Sequence, residues 1–106
     1  MEYIEIDKDS IPYQFNIRLA GITYTFRVLY NSLMDFFTVD LIKDGTPIVL
    51  GEKLILNKPL FTTSQYRDIP NISIIPFDLT GEAERITFEN LNKSVFLYLV
   101  GDNDVD

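Results

Sequence analysis

The chain has 106 residues, 46% of them hydrophobic and 24% charged, a balance that fits one globular domain with its own core and neither a disordered chain nor a membrane span. Sixteen acidic against nine basic residues give a formal charge of -7, which repels phosphate backbones and anionic lipid, so nucleic-acid and membrane partners are disfavoured. With no histidine and no cysteine, the chain cannot form disulfides, the common zinc sites, or the usual Ser-His-Asp and Cys-His relays.

The start, Met1-Glu-Tyr-Ile-Glu-Ile, has neither the basic residues nor the apolar run of a secretory signal. Nor does any stretch approach the roughly 20 apolar residues that cross a bilayer. The expectation is synthesis in the cytoplasm without signal-peptide export. Tyr3, Ile4 and Ile6 predict a short first strand.

Residues 13–19, YQFNIRL, and 22–28, ITYTFRV, each alternate apolar and polar, the mark of half-buried strands. With Ala20-Gly21 as a two-residue loop, Leu19 faces Ile22, Ile17 faces Tyr24, Phe15 faces Phe26 and Tyr13 faces Val28. Every pair is apolar. A four-residue connection over 31–34 then sets Val28 opposite Phe37, Phe26 opposite Val39 and Tyr24 opposite Leu41, whereas a five-residue loop would turn Thr38 and Asp40 inward.

Asp44-Gly45 is a type I′ hairpin signal that places Leu41 opposite Ile48 and Val39 opposite Leu50. The result is a four-stranded meander with one buried face and an outer face carrying Thr23, Thr25, Arg27, Thr38 and Asp40. Burying one such aromatic or aliphatic side chain stabilises by roughly 1.5–3 kcal/mol, which fixes the face. Gly51 predicts a bulge before residues 53–56 continue the strand.

Residues 57–70, NKPLFTTSQYRDIP, lack a sustained period and read as an irregular surface loop with at most one helical turn. Residues 71–77 predict a strand whose Pro76 belongs at an edge or bulge. DLTGEAER reads as a turn, and the following ITFENLNKS as either a short strand or one helical turn. Residues 94–100, SVFLYLV, are apolar nearly throughout, which predicts a strand covered on both faces.

Together these elements predict an all-β protein: one small antiparallel β-sandwich or partly closed barrel of about seven to eight short strands over residues 1–100, with a disordered acidic tail over 101–106.

Motifs for chemistry are sparse. Asp102, Asp104 and Asp106 have the spacing that opens a calcium loop without the rest of it, and read as a solvated tail. Asn71-Ile-Ser73 and Asn92-Lys-Ser94 match a glycosylation triplet short enough to arise by chance. None of the sixteen acids stands out as one of a catalytic pair, which would need a cleft with carboxyls about 5–9.5 Å apart. No catalytic, cofactor or metal residue is assigned.

Candidate partner contacts are Leu29 and Phe36, which the register above sets opposite each other on the polar face beside Arg27, and the loop residues Phe61, Tyr66 and Arg67. A small β-sandwich binding carbohydrate or another small ligand is the alternative reading.

The succession IPYQFNIRLAGITYTFRVLYN, FFTVDL, DGTPIVLGEKL and FENLNKSVFLYLV, in that order, resembles the cyanophage-type baseplate plug proteins of contractile-tailed phages and prophages. The resemblance runs from about residue 11 to residue 100. Gly21 matches the hairpin glycine, Asn31 the asparagine ending the second strand, Asp44-Gly45 the third turn, and Pro47, Ile48, Gly51 and Leu54 the strand that follows. Leu97, Tyr98 and Leu99 match the closing tyrosine-bearing strand. Family members often carry tryptophan at Phe36 or Phe37 and glycine at Asn92.

The resemblance implies a non-enzymatic virion structural protein, made in the bacterial host cytoplasm and seated at the distal end of the tail near the hub. Its partners would be other baseplate or tail hub proteins. Self-association through exposed strand edges is allowed, without a residue pattern that selects a number.

Overall fold

The computed structural model describes residues 2–62 and 69–101. Among these residues seven strands form two antiparallel sheets, one in the order β1 (Tyr3–Ile4), β7 (Val95–Val100), β6 (Ser73–Asp78), the other in the order β2 (Tyr13–Leu19), β3 (Ile22–Asn31), β4 (Phe36–Lys43), β5 (Thr46–Lys53). There is no α-helix among the described residues, and neither sheet closes into a barrel. A single apolar cluster draws on both sheets, with Phe26, Val28, Phe37 and Val39 from the larger and Ile4, Ile74, Val95 and Leu97 from the smaller.

The first hairpin follows the expected register, with Leu19 opposite Ile22 and Tyr13 opposite Val28. Ala20 and Gly21 both have positive φ, the backbone of a type I′ turn whose twist matches that of the strands it joins. Alternation then sends Tyr24, Phe26 and Val28 inward, fully buried, and keeps Thr23 outside.

The second hairpin departs from expectation by two residues. Val28 pairs with Val39, Phe26 with Leu41 and Tyr30 with Phe37, and the connection is Ser32 to Asp35 rather than 31–34. A shift of two conserves the inward face, so the apolar pattern fits both registers equally. The turn decides between them: the Asn31 side-chain oxygen accepts the Met34 N–H at 3.0 Å, and Asp35 closes the loop at φ 54.

The third turn is type I′ at Asp44-Gly45, with Lys43 opposite Thr46 and Ile42 opposite Pro47. Beyond it the register drifts, so Leu41 faces Val49 and Val39 faces Glu52. Val49 is therefore buried and Leu50 exposed, where the turn alone predicts Leu50 inward, while Ile48 stays half-buried against the core. Of the two register shifts, one lies at Leu50-Gly51, where Gly51 was expected to place a bulge, and the other at Ile48. Gly51 has φ +71, and its N–H donates to Asp40 Oδ1 at 2.7 Å.

Asp40 thus differs from its expected place on an open polar face. It is 5% exposed and also accepts Arg27 Nε at 2.8 Å through Oδ2. Both carboxylate oxygens are satisfied by charge-assisted or backbone donors, which makes the burial tolerable.

Strand β5 ends at Lys53, and the chain crosses to the other sheet. Leu54 N–H still bonds to the Phe37 carbonyl, but Asn57 N–H donates to the Pro76 carbonyl at 2.8 Å and Leu60 N–H to the Ile74 carbonyl at 2.8 Å. The segment covers the outer edge of β6. Pro76 turns its carbonyl, and with it the nitrogen that lacks a hydrogen, toward this edge, so the β6–β7 ladder loses no donor.

Part of the expected surface loop is core. Leu60 and Phe61 are buried, and Phe61, at φ 64, donates its N–H to Glu52 Oε2 and meets Phe26 edge-on with ring centroids 6.0 Å apart.

The stretch before β7 resolves as turns, not a strand. Leu91 N–H bonds to the Thr87 carbonyl in one helical turn, and Thr87 and Asn90 cap each other reciprocally. Asn92 has φ 64, a conformation that asparagine or glycine adopts readily, and its side chain donates to the Ile6 carbonyl. Asp78 ends β6 by accepting the N–H groups of Thr80 and Ala83 and the Thr80 hydroxyl.

Candidate functional site: an aromatic sheet face

A sheet with one wet face alternates apolar and polar residues, and the outer face of the larger sheet does so. Gln14, Asn16 and Arg18 lie on the outward side of β2, and Thr23 and Arg27 on that of β3. The smaller sheet breaks the rule. Its inward set is Ile4, Ile74, Pro76, Val95 and Leu97. Register then places Tyr3, Tyr98 and Ile75 side by side on the outer surface, with Phe77 opposite Phe96 and Ser73 opposite Val100. Among the described residues, these strand positions carry no charged side chain.

The rings form a connected cluster around Tyr98. Tyr3 and Phe96 have centroids 4.6 Å apart, Phe96 and Tyr98 6.0 Å, Tyr3 and Tyr98 6.2 Å, and Phe77 and Tyr98 6.5 Å. Tyr98 is thereby reduced to 6% exposure, while its flanking rings stay open, Tyr3 at 47% and Phe77 at 40%. Asn57, Ile75, Phe77, Tyr98 and Val100 border an open hollow of about 370 Å³ on the same face.

Sequence reasoning missed this surface, although the signal was there. The unbroken apolar run of β7 predicts a strand with cover on both faces. No residue of β7 is exposed: the core covers one face, and on the other the rings of Tyr3 and Phe77 pack against Tyr98 and stay open themselves.

The residues singled out beforehand fall elsewhere. Leu29 is exposed on the outer face of β3, opposite Thr38 and not Phe36, which is opposite Asn31. Leu29 and Phe36 are diagonal neighbours at most. Phe36 is half-buried beneath Lys53 Nζ, 4.5 Å from its ring centroid, and lines a shallow cleft of about 250 Å³ with Met34, Ile55 and Arg85. Phe61 is 2% exposed, an interior group and not one displayed for a partner. Tyr66 and Arg67 lie outside the described residues.

The exposed tip Leu33-Met34 beside this cleft is held in place by Asp35. Its Oδ1 accepts the Tyr30 hydroxyl at 2.7 Å and the Phe88 N–H at 2.9 Å, and Oδ2 accepts Arg85 Nη2 at 2.8 Å. The Tyr30 hydrogen bond, then the Phe88 N–H and the Arg85 guanidinium, hold the Asp35 carboxyl below its ordinary range, and Asp35 in turn pushes the Tyr30 phenol up. The Thr80 hydroxyl does the same for Asp78, aided by backbone N–H groups. These are structural ties whose carboxylates are already engaged.

Acids also border an open groove at Glu5, Asp7, Asp9 and Tyr13. There the Asp7 side chain accepts the Asp9 N–H and the Ser10 hydroxyl, capping the short turn Lys8–Ser10. Burial raises the phenol of Tyr13, whose hydroxyl accepts the Asp7 N–H.

Fold and surface together define a small antiparallel β-sandwich with an aromatic outer face on its smaller sheet. The chain belongs to the cyanophage baseplate plug family: the family model described as "Cyanophage baseplate Pam3 plug gp18" matches residues 1–102. The role of that family is structural. No curated protein matches the chain.

Proposed function

We propose that this protein is a virion component seated at the distal end of the tail near the hub, where it helps to close the tail channel by contact with other baseplate subunits. It acts by shape and adhesion, without catalysis, and binds neither nucleic acid nor membrane. Synthesis takes place in the host cytoplasm. The domain spans residues 1–100, and Leu29 and Phe36 offer a smaller secondary contact.

The observation that carries this reading, beside family membership, is the uncharged face centred on Tyr98. Tyr3 and Phe77 each leave on the order of 100 Å² of ring open, and covering such area yields about 25 cal/mol per Å², or roughly 2 kcal/mol per ring. A formal charge of -7 suits a surface beside a DNA conduit, since it repels the passing phosphates.

The geometry favours protein contact over glycan binding. Rings on this face meet at 55–75°, interlocked as in a packed interface, instead of forming the flat platform on which a sugar stacks.

Deleting the gene from a phage that carries it tests the proposal. The expected result is tails with an incomplete distal end and reduced infectivity, together with detection of the protein in purified wild-type tails. Full infectivity of the deletion phage, with no such protein in wild-type tails, refutes it.

A further inference from the structure

We propose that the outer face of the smaller sheet is covered by one segment of a different baseplate polypeptide, apolar at its centre and basic where it passes β1, and not by a second copy of this chain. The inference rests on the baseplate reading above and specifies its partner. Three observations lead to it.

The centre of the face dictates an apolar partner. Tyr3, Ile75, Phe77, Phe96 and Tyr98 offer rings and methyl groups without a charge among them. A charged group laid over them would lose its water without gaining a counter-ion.

The surroundings are acidic. The alternation that turns Tyr3 outward and buries Ile4 and Ile6 leaves Glu5 exposed beside the face, and Glu2, also exposed, precedes β1. Lys58, next to Asn57, is the base nearest in sequence to the bordering residues. Lysine or arginine beside the apolar stretch, on the β1 side, complements these acids and the formal charge of -7 and suppresses wrong partners.

The face is also too small for self-association. Its open area is on the order of a few hundred Å², whereas a stable interface removes about 800 Å² from each partner. A symmetric pair would further bring together two chains of formal charge -7. A heterologous partner adds the flanking ionic contacts that a second copy cannot supply.

The test is photo-cross-linking in assembled tails. p-Benzoylphenylalanine is placed at Tyr3 or at Phe77, both substantially exposed, with a control at Thr25 on the larger sheet. Circular dichroism of the purified variants checks that they fold. Irradiated tails are digested and the linked peptides sequenced. Positions 3 and 77 are expected to link to one stretch of another tail polypeptide, with lysine or arginine beside it, at least tenfold more often than position 25.

Links into a second copy of this chain, into a segment flanked by acids, or equal yields at all three positions overturn the inference. Tails that lack the wild-type chain altogether refute the baseplate reading instead. Two further measurements need no cross-linker. Glu5→Lys is expected to lower incorporation into tails at least threefold and Glu5→Gln less, so wild-type incorporation of Glu5→Lys contradicts the basic flank. Sedimentation of the purified chain is expected to show a monomer up to about 100 µM, and a dimer abolished by Phe77→Ser contradicts the exclusion of a second copy.

Discussion

Replacing Asp40 by alanine is expected to destabilise the protein far more than replacing its ionic partner Arg27. Asp40 is 5% exposed and makes two contacts of different worth, the Gly51 N–H at 2.7 Å and Arg27 Nε at 2.8 Å. The Arg27 side chain is 42% exposed, so its ion pair is screened and contributes at most about 1 kcal/mol. The Gly51 hydrogen bond has a charged acceptor and supports the irregular β4–β5 register, a class of contact worth about 1.5–3 kcal/mol.

Asp40→Ala should therefore cost about 2–4 kcal/mol, and Arg27→Ala about 1 kcal/mol. Asp40→Asn keeps an acceptor for Gly51 and falls between them. At about 5 °C per kcal/mol for a domain of this size, Asp40→Ala lowers the thermal midpoint by roughly 10–20 °C. Urea and thermal unfolding followed by circular dichroism measure both variants. Equal losses for Arg27→Ala and Asp40→Ala, or a loss below about 0.5 kcal/mol for Asp40→Ala, would refute the reasoning.

Ala20, at φ 50, sits in a conformation that costs an L-residue with a Cβ about 1 kcal/mol, so Ala20→Gly should raise stability by up to about 0.5–1 kcal/mol despite the added freedom of the unfolded chain. Denaturant titration reads the difference. Phe61→Ala removes a fully buried ring and should cost about 3–5 kcal/mol, seen as a large loss of thermal midpoint in the isolated protein, where a surface contact would show none.

The carboxyls of Asp35 and Asp78 are held low in the fold, so the stability they contribute is complete above the ordinary carboxyl range near pH 4 and is lost as pH falls through their folded values. Thermal midpoints measured downward from about pH 5 should fall, and less steeply in Asp35→Asn. The raised phenols of Tyr13 and Tyr30 act at the other end: their contribution is present below about pH 10 and is lost as pH rises through their folded values.

The meander was legible because side-chain alternation and two-residue turns are local constraints. Ala20-Gly21 fixed the first register outright. The second slipped by two because a shift of two leaves the same residues inside, and only the Asn31 and Asp35 turn geometry separates the alternatives. The drift between β4 and β5 depends on a contact between Asp40 and Gly51 that no periodicity contains. It exchanges Leu50 for Val49 in the core.

Phe61 looked like a loop aromatic because its burial depends on a long-range hydrogen bond to Glu52 and on the ring of Phe26. The site was half legible. The apolar run of β7 implied two covered faces, but strand order was needed to see that the outer cover is the rings of Tyr3 and Phe77 on β1 and β6, which are themselves open. The family resemblance, by contrast, rested on the order of short motifs, and the family match covers nearly the whole chain.

A cryo-electron microscopy map of the intact baseplate from a phage carrying this gene tests the central claim most directly. The account predicts the two-sheet domain at the distal end of the tail, with Tyr3, Phe77 and Tyr98 lying under density from another subunit. A baseplate without the domain, or one in which that aromatic face looks into solvent, would contradict it.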